Sequence, residues 1–348
     1  MQQLLLRFLC LLLCGLLTPN LHAQEVLTDQ NFIRIDQFGY PTTGAKVAVI
    51  ARAQDGYNAG YGIALDPGQP IEVVREGSDE VVYSGPARAW NGGSVDEVSG
   101  DKGYWYDFTS VRETGTFRIR LTKDDGEVVT SYPFRIADDV YDDVLRVAVE
   151  FFYYQRVNQE KTAEYASGAP WTDGAWFDRD YQEYAVKSLA DSSQTRSMPK
   201  GWFDAGDPNK YVTFASEAVH SLLTTYDQYP DFWNDFSLRI PESGNDVPDL
   251  LDEIDWEVDW LMSMQDYDPA TDTGSGGFYQ KMGILEDVSY ISPPSTDTRL
   301  RWHNDICVNS TITGAAMLAH AALSYQTAEV WPDKVVELRE RAEVAGEY

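Results

Sequence analysis

The chain has 348 residues, 43% hydrophobic and 24% charged, an ordinary globular composition with length for about two domains. Its 26 Gly and 16 Pro follow no period, so collagen-like and low-complexity classes are excluded. Asp and Glu total 56 against 27 Lys and Arg, a formal charge of −29, which argues against nucleic acid and anionic membranes as partners because both need basic patches.

Residues 1–23 read as a secretory signal: Arg7, an apolar run over 8–17, then Pro19 and the small Ala23 at a cleavage site. The run falls short of the roughly 20 apolar residues that span a bilayer. The expectation is a secreted or periplasmic protein, free of the membrane once the signal is removed. Cys10 and Cys14 leave with that segment. Cys307 remains alone, which rules out an intrachain disulfide and a Cys-based zinc site.

From 24 to 137 the texture is strand and turn. Short apolar or alternating runs at 32–35, 47–50, 71–74, 81–84, 104–108, 117–121 and 132–136 are separated by Gly, Pro and Asp turns. About seven strands in this span predict a β-sandwich of the immunoglobulin-like kind. Trp90, Trp105 and Tyr106 read as packing residues, with a sugar platform as the alternative. The domain reads as a stabilising partner. From 138 the texture turns helical. Apolar stripes run through Tyr141, Val144, Leu145, Ala148, Phe151 and Phe152, through Ala215–Tyr226, through Leu250–Leu261, through Ala316–Leu323 and through Val335–Ala345. Asn245-Asp246 and Pro248 read as cap and first turn of the third stripe. Long irregular loops between the helices predict an all-α array whose loops build a site over 138–348.

The sharpest chemical feature is Gly-Trp-Phe-Asp-Ala-Gly-Asp at 201–207. Asp204 and Asp207 flank a bend of small residues, so both acids can face one cavity. Two such carboxylates can hold and deprotonate a water, and their repulsion splits their pKa values. On spacing alone, D-x-x-D in a Gly-rich loop is more often a turn or half of a calcium loop. Trp202, Phe203 and Tyr211 beside it offer stacking faces. G-x-S-x-G, H-E-x-x-H, the dinucleotide fingerprint and the Walker A sequence are all absent. His220 and His320 lie on helical stripes and read as core or boundary. His303, with Trp302 in the loop 301–305, is freer to face a ligand.

These residues carry a resemblance. Residues 201–212 resemble the G-G-W-Y-D-A-G-D-x-x-K-Y motif of glycoside hydrolase family 9. Residues 33–40 resemble the opening strand of the immunoglobulin-like domain that precedes many cellulases of that family. Residues 151–156, Phe-Phe-Tyr-Tyr-Gln-Arg, are similar to the first catalytic-domain helix. Residues 240–253 resemble I-P-E-S-G-N-x-x-P-D-L-L-D-E, and 276–281 the loop after it. The five stretches stand in the family's order. The resemblance implies an (α/α)6 barrel and hydrolysis of β-1,4-glucosidic bonds with inversion. It implies Asp207 as general base and Asp204 as its partner on the water, with Trp202, Phe203, Tyr211, Trp302 and His303 as substrate-binding candidates. An exo-acting β-glucosaminidase of the same family and an acid-lacking carbohydrate-binding protein are the alternatives.

The sequence also departs from the family. Nothing matches the family's general-acid Glu, and 138–348 is about half of a twelve-helix barrel, so the expectation is a C-terminally truncated chain, inactive by itself. Glu242 and Glu253 read as cap, packing and rim. Val157 stands where relatives with a zinc site carry Cys, so no zinc is expected. The chemistry requires no cofactor. Calcium is a candidate structural ion at Asp266, Asp268 and Asp272, with a solvated acidic loop as the plainer reading.

Overall fold

The computed structural model describes residues 28–348 apart from 67, 124 and 286–288, and the signal expected at 1–23 lies outside the described residues. The chain divides into two compact units, one ending at Val144 and one running from Leu145 to Tyr348.

The first unit is built from nine strands. β1 (Ile33–Arg34), β2 (Val47–Ala53), β6 (Asp101–Asp107) and β5 (Arg88–Ala89) form one sheet in that order. β4 (Val81–Pro86), β3 (Pro70–Arg75), β7 (Gly115–Thr122) and β8 (Val128–Thr130) form the other, with β9 (Phe134–Ile136) also paired to β7. All pairs are antiparallel. Alternation sends Phe117, Ile119 and Leu121 of β7 inward, onto Ala48 and Ile50 of β2 and Tyr106 of β6. Tyr106 packs in this core and its hydroxyl donates to the Ile71 carbonyl at 2.7 Å. The packing reading does not extend to Trp105, which is 40% exposed with the Arg88 guanidinium 5.1 Å above its ring. β5 and β8 lie outside the runs read from the sequence.

Six α-helices occur among the described residues: α1 (Asp142–Gln155), α2 (Val212–Gln228), α3 (Pro230–Asp235), α4 (Asp249–Ser263), α5 (Val308–Thr327) and α6 (Pro332–Glu347). Their core gathers Val219, Leu223 and Tyr226 of α2, Leu250, Ile254, Val258 and Trp260 of α4, and Met317, Leu318 and Tyr325 of α5. Two details differ from the sequence reading. The buried residues of α1 are Val149 and Tyr153, with Leu145 and Phe152 packed beside them, while Phe151 is 52% exposed. α4 begins at Asp249 after Pro248, and Asn245 instead accepts the Val247 amide at 2.9 Å in the preceding turn. Cys307, a free thiol, caps α5 by accepting the Ser310 amide at 3.5 Å. No helix among the described residues is long and apolar enough to cross a membrane.

The loops of this unit are not irregular throughout. β10 (Val186–Ser188), β11 (Thr195–Arg196), β12 (Lys210–Tyr211), β15 (Lys281–Gly283) and β16 (Trp302–His303) join in one sheet, order β11-β10-β16-β15-β12, and β13 (Gln265–Asp268) pairs with β14 (Thr273–Phe278). The larger sheet draws its strands from two inter-helix segments, 156–211 and 264–307, and it sets the position of residues 201–211.

Candidate active site

Residues 201–207 lie across α4, and the contact is possible because residue 201 is glycine. Gly201 has φ +78, and a Cβ there would come within 2.7 Å of the Trp260 ring. Its amide donates to the Trp256 carbonyl at 3.1 Å and its carbonyl accepts from the Val157 amide at 2.9 Å. Trp202 is 6% exposed and bound twice to α4: its amide donates to Glu257 Oε2 at 2.6 Å and its indole Nε1 to Glu253 Oε1 at 3.0 Å. Phe203, also 6% exposed, stacks on Trp176 with ring centroids 5.4 Å apart.

Beyond these two buried rings the chain emerges at Asp204. Its amide donates to the Asn209 carbonyl at 3.1 Å, which closes the loop 204–209. Burial, and then the charge of Asp207, raise the Asp204 carboxyl above its ordinary value. Asp207 accepts a hydrogen bond from the side-chain amide of Asn209. Asn209 is fully buried, and its own oxygen accepts the Ile284 amide at 3.3 Å.

A cavity of about 300 Å³ opens beside Asp204. Trp202, Phe203 and Tyr211 line it, together with Phe151 and Phe152 of α1, Phe214 and Glu217 of α2, and Glu257. A mostly apolar wall with a few convergent polar groups is the usual make-up of a small-ligand site. Sequence reasoning placed Phe151 in a core stripe and did not single out Phe214; they are 52% and 61% exposed. Trp302 and His303 do not line this cavity. β16 is clamped between β10 and β15, which turns His303 inward to 4% exposure, edge-on to Tyr279 at 4.4 Å. Burial pushes its pKa down. The half-buried His220 and His320 bond to each other, Nδ1 to Nδ1 at 2.8 Å, between α2 and α5.

Behind the loop lie charges that the sequence pattern did not place. Arg156 is fully buried and pairs with Glu253 at 3.0 Å and Glu242 at 2.9 Å. Burial pushes the Glu257 carboxyl up to about 8, against its ordinary 4.5. Between those values the folded chain keeps a proton that the unfolded chain releases, so this carboxyl makes stability fall as pH rises from about 4.5 to 8. Glu257→Gln removes that term and still accepts the Trp202 amide. The variant's stability relative to the parent should therefore climb across this window by about 1.4 kcal/mol per pH unit, read from urea denaturation at pH 5, 6 and 7. A constant difference would contradict the assignment.

Asp266, Asp268 and Asp272 each meet protein donors. Asp266 accepts from Ser275 at 2.9 Å and pairs with Arg196, Asp268 accepts the Ala270 amide at 3.0 Å, and Asp272 accepts the Tyr267 hydroxyl at 3.2 Å. Each carboxylate serves a different donor. Among the described residues no three His, Cys, Asp or Glu side chains gather as a ligand set.

Comparison with known proteins places this architecture. The family model for glycosyl hydrolase family 9 matches residues 141–345, and the model for the cellulase N-terminal ig-like domain matches residues 28–125. The chain belongs to glycosyl hydrolase family 9 and carries an immunoglobulin-like domain ahead of the catalytic region. It is 29% identical over 284 residues to Endoglucanase D of Acetivibrio thermocellus, covering 80% of this chain and 40% of that protein. It is 26% identical over 307 residues to a xyloglucan-specific endo-beta-1,4-glucanase of Bacteroides ovatus, covering 85% and 46%. Among solved structures it is similar to a metagenome-derived glycoside hydrolase family 9 endoglucanase, at TM-score 0.71 and 30% identity, covering 90% of this chain and 53% of that one. The Bacteroides ovatus GH9 structure gives TM-score 0.73 at 25% identity, covering 91% and 53%. The chain thus spans less than half of these curated relatives and about half of the solved ones.

Proposed function

We propose that residues 138–348 form the base-bearing half of an (α/α)6 catalytic barrel in a secreted, inverting hydrolase of β-1,4-glucosidic bonds in cellulose or cello-oligosaccharides. The observation that carries this reading is the 204–207 loop. It carries two carboxylates between the buried segments 201–203 and 208–210, with Asp204 at the edge of an aromatic-lined cavity. The relatives named endoglucanases supply the polymer class.

In this mechanism Asp207 takes a proton from the attacking water as its oxygen approaches the anomeric carbon. Asn209 holds the Asp207 carboxylate in one orientation, and Asp204 accepts the water's other proton as a hydrogen bond. The raised Asp204 carboxyl fits a division of roles between the two acids. Phe151, Phe214 and Tyr211 offer faces for the apolar sides of glucose rings. The leaving oxygen needs a proton donor on the opposite side of the sugar, with the two carboxyls roughly 6.5–9.5 Å apart to admit the water. The resemblance assigns that donor to a Glu outside these 348 residues, so activity is tested on the full-length enzyme. Such an enzyme should release reducing sugar from cellohexaose, and its first-formed product should have the α configuration.

A further inference from the structure

We propose that Glu183, which lies in none of the family-like stretches, is a positioning residue for Asp207. This inference rests on the reading of Asp207 as the base.

A chain of contacts runs outward from Asp207. Its chain neighbour Pro208 gives its carbonyl to Arg301 Nη1, and two residues further on Lys210 points its ammonium into the same interior. Lys210 Nζ donates to the Lys200 carbonyl at 2.5 Å, just before the segment that leads into Trp202. Glu183 lies between these two cations. Its Oε2 accepts from Lys210 Nζ at 2.7 Å, and its Oε1 is 3.1 Å from Arg301 Nη2. All three side chains have zero exposure. The Glu183 carbonyl also accepts the Met198 amide at 2.7 Å, which joins its backbone to the chain that enters the loop. The Arg301 guanidinium is packed 4.2 Å over the Phe177 ring.

The segment that follows the base is therefore held at Pro208 and at Lys210 by one carboxylate acting through two cations. The residue between the flanks completes the device. Asn209 lends its amide to Asp207, and this inward pose requires glycine at 283, where a Cβ would sit 1.8 Å from the Asn209 oxygen. Two cations in a fully buried interior repel each other and cannot both stay protonated and in place without an anion between them. Removing the Glu183 charge frees Lys210 or Arg301 to move, and Pro208 or the 210 flank moves with it. A shift of about 1 Å at a reacting group lowers turnover by about 10²-fold.

The test is a double-mutant cycle on the full-length enzyme with cellohexaose. Glu183→Gln should lower kcat about 10²-fold and leave KM within a factor of about three. In the Asp207→Asn background the same change should cost less than about threefold, because groups that act as a unit lose their effect together. Glu183→Asp, which keeps the charge, should fold and give an intermediate kcat, and it carries the cycle if Glu183→Gln does not fold. Lys334→Met serves as a control for a buried ion pair elsewhere: it breaks the Asp255 and Asp259 contacts and should lower the melting temperature with kcat unchanged. An equal loss from the Glu183 change in both backgrounds would overturn the positioning role. Unchanged kcat in Asp207→Asn alone would instead overturn the reading of the base.

Discussion

Asp207→Asn in the full-length enzyme is expected to lower kcat by about 10²–10⁴-fold with KM nearly unchanged, the usual contribution of a general base. The asparagine keeps the size of the side chain and an oxygen able to accept from Asn209, so the loop should hold its shape. It loses only the lone pair that takes the water's proton. Asp207 is half-buried and its hydrogen bond comes from the neutral Asn209 amide, so the melting temperature should move little. Asp204→Asn should cost less, since its assigned role is to hold the water. Steady-state rates on cellohexaose, with thermal unfolding of the same samples, check both statements. Wild-type turnover in Asp207→Asn would remove the mechanism.

The largest effect on stability should come from Arg156→Met. The arginine has no exposed surface, binds Glu253 and Glu242, and lies 4.8 Å from the Trp256 ring centroid. Its loss leaves the fully buried Glu253 carboxyl without its cation. Burial already pushes that carboxyl up, and Arg156 is the main force pulling it back. Breaking a buried pair on one side costs about 3–5 kcal/mol, most of it the penalty of the charge left behind. The double variant Arg156→Met, Glu253→Gln removes that charge and should recover a large part of the loss. Urea denaturation of the two variants decides the matter. A single variant within about 1 kcal/mol of the parent would show that the pair contributes little.

These pairs also explain how far the sequence could be read. The stretches 151–156, 201–212 and 240–253 were visible as separate motifs, and the periodic apolar runs in α2, α4 and α5 located those helices. What the motifs do for one another was not visible. Arg156 reaches Glu253 across 97 positions, and Glu253 in turn holds the indole of Trp202. No local period encodes such a contact. Glu242 and Glu253 read as cap, packing and rim of the 240–253 stretch; that the fully buried Glu253 meets a cation from the residue just after α1 was not visible. His303 looked free because its loop lacked a readable strand, yet two residues of β16 suffice to turn it inward. Phe151 is the reverse case, an aromatic on a helical stripe that was assigned to a core and instead lines the cavity.

At the centre of the mechanism is a water driven by Asp207 onto the anomeric carbon from the side opposite the leaving group. Proton NMR of the full-length enzyme acting on cellohexaose, recorded in the first minutes before mutarotation, tests this directly. The new reducing end should appear as the α-anomer and drift toward the equilibrium mixture. Initial appearance of the β-anomer would mean two displacements and a covalent intermediate, and the carboxylate pair at 204 and 207 could not then be the water-activating couple of a single displacement.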